Sequence, residues 1–209
     1  MLSGGLKYAL IVLAVGLLGY NSVYVERLSE YKSGVQKTLD VKAYAQEYLF
    51  KKVPQSVGKA VNITELISRV SGNPKAVFNA VPESRRAGDQ LYFLVKGEAE
   101  IVEVAEEYVL LNSSGDSVKL KIATEYIFGN ASRNAAGLIS ADQFDNTMDF
   151  NNVSEEINRL IRSQILPPFK KEARKGDTVN FIAALEIRET APKLTDIELI
   201  PLKLVIKPH

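Results

Sequence analysis

Hydrophobic and polar positions divide the chain into three regimes. The first is an unbroken apolar run. Lys7 precedes Tyr8-Ala-Leu-Ile-Val-Leu-Ala-Val-Gly-Leu-Leu-Gly-Tyr20, Asn21 and Ser22 interrupt it, and Val23-Tyr24-Val25 carry it to Glu26. Residues 8–25 hold no charge and reach the lower limit for crossing a bilayer as a helix. The run is apolar around its whole circumference, which suits lipid better than one side of a core. Tyr8, Tyr20 and Tyr24 lie near its ends, where interfacial aromatics sit, and Lys7 favours an inward N-terminus. The alternatives are a cleaved signal and a buried core helix. Gly19-Tyr20-Asn21-Ser22 is a poor cleavage site, so an uncleaved anchor is the preferred reading, with residues 26–39 as a polar stalk.

The second regime repeats at helical spacing. Asp40 is placed to cap a helix over 41–53, with Val41, Ala45, Tyr48 and Leu49 on one face and Pro54 at its end. A second helix is predicted from Thr64 to Val70, stopped at Ser71-Gly72-Asn73. A third short one follows Pro74. Residues 40–89 thus form a small helical region.

From Gln90 the period becomes two. Leu91, Phe93 and Val95 alternate with Tyr92, Leu94 and Lys96, and Gly97 predicts a bend or bulge before Ile101–Val104. Tyr108–Leu111 is a second strand, Asn112-Ser-Ser-Gly-Asp116 a hairpin turn and Val118–Ile122 a third strand. Residues 125–149 show little periodicity. Ser154 is placed to cap a helix over 155–166, ended by Pro167-Pro168. Two strands follow, Thr178–Arg188 and Asp196–Ile206. Val179, Phe181, Ala183, Leu185 and Ile187 share a face of the first, and the second shifts parity at Ile200-Pro201. Strand, strand, strand, helix, strand, strand is the order of an OB-type barrel. The predicted class is therefore mainly β with α (α+β): an N-terminal hydrophobic helix, a small helical region, then a five-stranded OB-like barrel over 90–209 with a helix between strands 3 and 4. A small open sheet with the helix on one face is the alternative.

Composition narrows the chemistry. The 209 residues carry 26 basic and 25 acidic side chains, a net charge of +1, with no basic cluster, which argues against nucleic-acid binding. There is no cysteine and one histidine, His209. Thiol chemistry and histidine-based triads or zinc sites therefore lack their groups, and no phosphate loop or nucleophile elbow occurs. No cofactor, metal or catalytic residue is predicted. The remaining acid/base candidates are carboxylates. Asp142, Asp145 and Asp149 would share a face on a helix and could serve a hydrolase with Glu125, although a solvated acidic face is the blander reading.

The most unusual segment is Gly129-Asn130-Ala131-Ser132-Arg133-Asn134-Ala135-Ala136-Gly137. Two readings stand side by side. Arg133 offers a bidentate fork to an anion or a sugar hydroxyl, with Asn130, Asn134, Asn146 and Tyr126 as ligand or partner candidates. Alternatively, Arg133 pairs internally with Asp142 or Glu125 and ties down an irregular connection.

At this segment the chain resembles a bacterial family of predicted periplasmic lipoproteins often encoded beside ribose-type sugar ABC importers. The family motif G-T-A-x-R-D-A-x-G-F-I is matched at Gly129, Ala131, Arg133, Ala135, Gly137 and Ile139. F-x-N-Q-I-x-[YF] is matched at Phe144, Asn146 and Phe150, and a helical Asn at Asn158. Asp40, Ala43, Tyr44 and Ala45, Lys96-Gly97-Glu98 and Lys175-Gly176-Asp177 extend the likeness over residues 36–206. Two departures stand out: Asn134 replaces the family's Asp, and the lipid-bearing cysteine is absent. The resemblance implies an extracytoplasmic accessory of sugar uptake; with the apolar run and the missing catalytic motifs, the expectation is a non-enzymatic, membrane-anchored module. It sits on the periplasmic side of the cytoplasmic membrane and is held through residues 8–25, with ABC importer subunits or a sugar-binding protein as partners. A small-ligand binder for a sugar or oligosaccharide is the alternative function.

Overall fold

The computed structural model describes residues 39–112 and 118–207, together with Gly5 and Leu13. Apart from Leu13 and Leu39, the apolar run and the stalk lie outside the described residues, as do residues 113–116 of the expected hairpin turn and His209. Among those described, no helix is long and apolar enough to cross a membrane. The chain separates into two units, residues 1–39 and 40–209, and the described strands all belong to the second.

Asp40 caps α1 (Val41–Glu47) by accepting from the Ala43 N–H at 3.0 Å. The helix continues through a π-helical stretch, Tyr48–Lys52, into α2 (Val53–Gln55). Pro54 was expected to stop the helix and instead sits inside its last turn. A proline cannot donate to the ladder and its ring crowds the carbonyl four residues back. The wider π register just before it shifts those carbonyls by one residue. The same device recurs later. α6 (Thr147–Leu160) runs into a π-helical stretch, Ile161–Ile165, and then α7 (Leu166–Glu172), so Pro167-Pro168 lie within a continuing helix. α6 also begins well before the expected Ser154 cap, because Asn146 takes that role.

Between α2 and the strands lie a 3-10 turn (Val57–Lys59), β1 (Val61–Asn62), α3 (Ile63–Gly72) and α4 (Pro74–Asn79). Asn62 caps α3, accepting from Thr64 N–H at 2.9 Å, and Asn73 caps α4. The strands are β2 (Arg86–Ala87), β3 (Gln90–Val104), β4 (Tyr108–Leu111), β5 (Lys119–Ala123), β6 (Thr178–Arg188) and β7 (Asp196–Lys207). β3 is long enough to pair with β4 and β6 in turn, besides the short strands β1 and β2 at its flank. Gln90–Glu100 pair antiparallel with β6, and Ile101–Val104 turn to pair with β4. β4 pairs with β5, β5 runs parallel to β7, and β7 returns antiparallel to β6. The pairings therefore close into a circuit, β3–β4–β5–β7–β6–β3, with α6 in the connection between β5 and β6. Closure leaves few unpaired strand edges.

The inward faces meet in one core. Leu91, Phe93 and Val95 of β3 pack with Val179, Phe181, Ala183, Leu185 and Ile187 of β6 and Ile197 and Leu199 of β7. α3 and α4 contribute Leu66, Val70 and Phe78 to the same cluster, so the helical region and the strands share it. Tyr92 and Leu94, on the opposite face of β3, are also buried. Both faces of this part of β3 are covered, so its apolar run is continuous rather than alternating.

Gly97 is not a bulge. It pairs in register with Phe181, and a methyl group there would lie 2.6 Å from Phe181 Cζ. The glycine makes room for that ring. The irregularity falls later, between Ile101 and Glu103. The parity shift in β7 is real: the β6–β7 register breaks so that Ile182 faces Lys203 and Ala183 faces Pro201.

Candidate functional site

The polar motif lies after β5, where a short helix α5 (Ala131–Asn134) packs against α6, β6 and β7. Gly129 and Gly137 both take positive φ, 75° and 63°, which non-glycine residues seldom adopt. They turn the chain into and out of the helix. Within it Arg133 is only 3% exposed. Its Nε donates to Asn134 Oδ1 at 2.9 Å and its Nη1 to the Phe150 carbonyl at 2.9 Å. The guanidinium carbon lies 3.4 Å from the Phe150 ring centroid, a stacked cation–π geometry. None of the ion pairs among the described residues includes Arg133. Burial without a counter-charge lowers its pKa to about 10. The expected pairing with Asp142 or Glu125 is therefore not made. Glu125 pairs with Lys170 at 3.5 Å, and Asp142 accepts from the Ser140 hydroxyl.

The rest of the motif is bound just as tightly. The Tyr48 hydroxyl is shared between the carbonyls of Ser132, at 3.0 Å, and Arg133, at 2.8 Å, and burial pushes its pKa well above the usual tyrosine value. Ser132 Oγ donates to Asn158 Oδ1 at 2.6 Å, and Asn158 Nδ2 donates to the Gly129 carbonyl at 2.9 Å. Ser154 Oγ donates to Asn130 Oδ1 at 3.2 Å. Asn146 is the N-cap of α6, accepting from Asp149 N–H at 2.8 Å while its Nδ2 donates to Asp149 Oδ2 at 2.9 Å. The Arg133 stack continues outward: Phe150 meets Phe144 at 5.3 Å and Phe144 meets Tyr44 at 5.6 Å between centroids.

Arg133, Asn134 and Asn146 thus make internal ties, and Asn130 is bound to Ser154. The three aspartates do not share a helical face. Asp142 lies in the 3-10 turn Ala141–Gln143, Asp145 precedes the cap, and Asp149 is in the first turn of α6. Among the described residues no group of three or more His, Cys, Asp or Glu side chains comes together as metal ligands.

Tyr126 has a different setting. Residues 124–130 form a loop in which Ile127 is fully buried while Tyr126 and Phe128 are 60% and 67% exposed. The buried Ile127 holds the loop to the core between the two exposed rings. The loop is pinned. Arg162 Nη1 donates to the Ile127 carbonyl, and the Arg162 guanidinium lies 5.5 Å from the Phe128 ring centroid. On one side of this ridge is a cleft of about 680 Å³, walled by the ends of β6 and β7 and the loop between them. On the other is a depression of about 300 Å³ that Asn130 lines. In the cleft, burial raises the pKa of Glu198, with Asp196 adding to the effect. Phe128 and Arg162 are functional candidates that the residue pattern did not single out. The alternation Tyr126-Ile127-Phe128, inside a segment of little periodicity, is the signal that marks them.

The strand circuit and its helix define an OB-like class of protein. The crystal structure of an OB-fold protein from Thermotoga maritima is similar, with a TM-score of 0.72 and 27% identity, covering 82% of this chain and 100% of that one. The chain itself belongs to the family of predicted periplasmic lipoproteins (DUF2291), whose model matches residues 13–205. No curated protein matches it. Membership indicates an extracytoplasmic, membrane-associated protein. The 209 residues hold no cysteine, so the thioether lipid of a lipoprotein has no attachment point on them.

Proposed function

We propose that the protein is a non-enzymatic extracytoplasmic module whose closed strand circuit is an OB-type barrel. Residues 8–25 anchor it on the periplasmic side of the cytoplasmic membrane, and it works beside a sugar ABC importer or its binding protein. The observation that carries this reading is the internal use of the polar motif. Tyr48, Ser132, Arg133, Asn134 and Asn158 tie α5 to the π-helical extension of α1 and to α6, so the motif's polar groups are used inside the fold rather than at an opening. The importer partnership rests on the family likeness. Affinity capture of the full chain from membranes tests it. Recovery of a permease, ATPase or sugar-binding subunit supports the reading; recovery of none of these overturns it.

A second reading, a small-ligand-binding protein, is favoured by the open cleft beside Tyr126. A carboxylate-dependent hydrolase has no such support, since Asp142, Asp145, Asp149 and Glu125 do not converge. Unchanged turnover of chromogenic glycosides in Asp145→Asn removes it.

A further inference from the structure

We propose that the cleft beside the Tyr126–Phe128 ridge is a saccharide site that takes a short, uncharged oligosaccharide. The inference deepens the small-ligand reading and is independent of any importer partnership. The first observation is the ridge itself. Two large aromatic rings stand exposed, two residues apart, on a loop fixed by the buried Ile127 and by Arg162. Exposed rings of this size cost free energy in water unless something covers them. A sugar ring offers a suitable cover, because one of its faces is made of C–H groups and packs flat on an aromatic ring. A rigid platform also lessens the ordering penalty on binding.

The second observation is the polar wall facing the ridge. Glu186 and Arg188 come from β6, Glu198 from β7 and Lys193 from the loop between these strands. Carboxylate and guanidinium groups are planar and two-pronged, suited to pairs of neighbouring hydroxyls. Glu186 is held in place by Gln90, whose Nε2 donates to its Oε1 at 2.8 Å. Asp196 also lines the cleft but is ion-paired with Lys121 at 2.9 Å. The rest of the charged lining is two carboxylates against two cations, a balance that favours neither a phosphate-rich ligand nor a polycation. A neutral polyol fits it. The volume, about 680 Å³, lies within the range of ligand sites and has room for more than one sugar ring.

Saturation-transfer NMR on the full chain in dodecylphosphocholine, a detergent without a sugar headgroup, tests this. The probes are ribose, glucose and galactose, and the hexaoses of xylose, glucose and N-acetylglucosamine. At least one hexaose shows transfer to its ring protons. That signal falls about ten-fold in Tyr126→Ala/Phe128→Ala, equivalent to about 1.4 kcal/mol, and is kept in Tyr126→Phe, which retains the ring. The far-ultraviolet circular dichroism of the double variant matches the parent, since both side chains are exposed. Absence of transfer from every probe at millimolar concentration overturns the proposal, as does transfer that survives the double substitution.

Discussion

The loop Tyr126–Phe128 and the helix Ala131–Asn134 are neighbours in the chain and opposites in use. The helix carries the conspicuous polar residues, and its four side chains are all buried, with Ser132, Arg133 and Asn134 hydrogen-bonded inside the protein. The loop carries inconspicuous aromatics, and it turns them to solvent. A buried arginine without a carboxylate must have its donors satisfied by neutral acceptors, or it would cost several kcal/mol. Here an amide, a carbonyl and a ring face do that. The cation is therefore evidence of a structural knot. Phe128 meets the Arg162 guanidinium, but both rings stay largely open to solvent, and a ligand gives them a cover.

The contrast can be broken from the structural side first. Arg133→Ala leaves Asn134 Oδ1 and the Phe150 carbonyl without their donor and empties the space over the Phe150 ring. A loss of about 2–4 kcal/mol in urea unfolding is expected. Tyr48→Phe keeps the packing and removes only the hydroxyl shared by two carbonyls, so about 1–3 kcal/mol is expected. Asn134→Asp restores the family's residue and converts the Arg133 Nε bond to a charge-assisted one. It should raise stability by about 1 kcal/mol and lift the pKa of Arg133. Little change, or a loss, means that burying the new carboxylate outweighs the pairing.

Alkali provides a further test. Burial holds the pKa of Tyr48 above its ordinary value and that of Tyr92 at about 12. Each keeps its proton in the folded chain after the unfolded chain has lost it near pH 10, so each contributes stability that fades as pH rises toward its folded pKa. Arg133 works in the opposite sense, since its folded pKa of about 10 lies below the usual 12.5. Two tyrosines against one arginine leave a net loss of stability from about pH 10 upward, followed by denaturant titration at stepped pH. Tyr48→Phe flattens that slope. The smallest stability effect belongs to the ridge: Tyr126→Ala should change unfolding by less than about 0.5 kcal/mol, as exposed positions usually do.

Much of the strand core was legible. Val179, Phe181, Ala183, Leu185 and Ile187 share the face of β6 that meets the core, and Ile182 and Ala184 on the opposite face are buried as well. The order of the five strands pointed to the circuit that is observed. The helix ends at proline were misread, because a π-helical stretch before Pro54 and before Pro167 leaves no mark in the residue pattern. Gly97 was misread for a related reason: its cause is a ring on β6 that lies 84 positions away in sequence, 181 against 97. The candidate site was half legible. The segment 129–137 does stand out as a unit, but its burial depends on Tyr48 and Phe150, which approach from the π-helical extension of α1 and from α6. Nothing in residues 129–137 alone separates a knot from a pocket. The outward turn of Tyr126 and Phe128 depends on Ile127 finding the core, and that too is a tertiary event.

The most direct measurement sets the two regions against each other in one pair of variants. Arg133→Lys and Tyr126→Ala/Phe128→Ala are each assayed for unfolding midpoint and for saturation transfer from the hexaoses. Lysine cannot reproduce the planar fork over Phe150. A lowered midpoint with retained transfer is expected in the first variant, and an unchanged midpoint with lost transfer in the second. The reverse pattern, a stable Arg133→Lys chain that no longer receives transfer beside a ridge variant that still does, contradicts the division between knot and ridge.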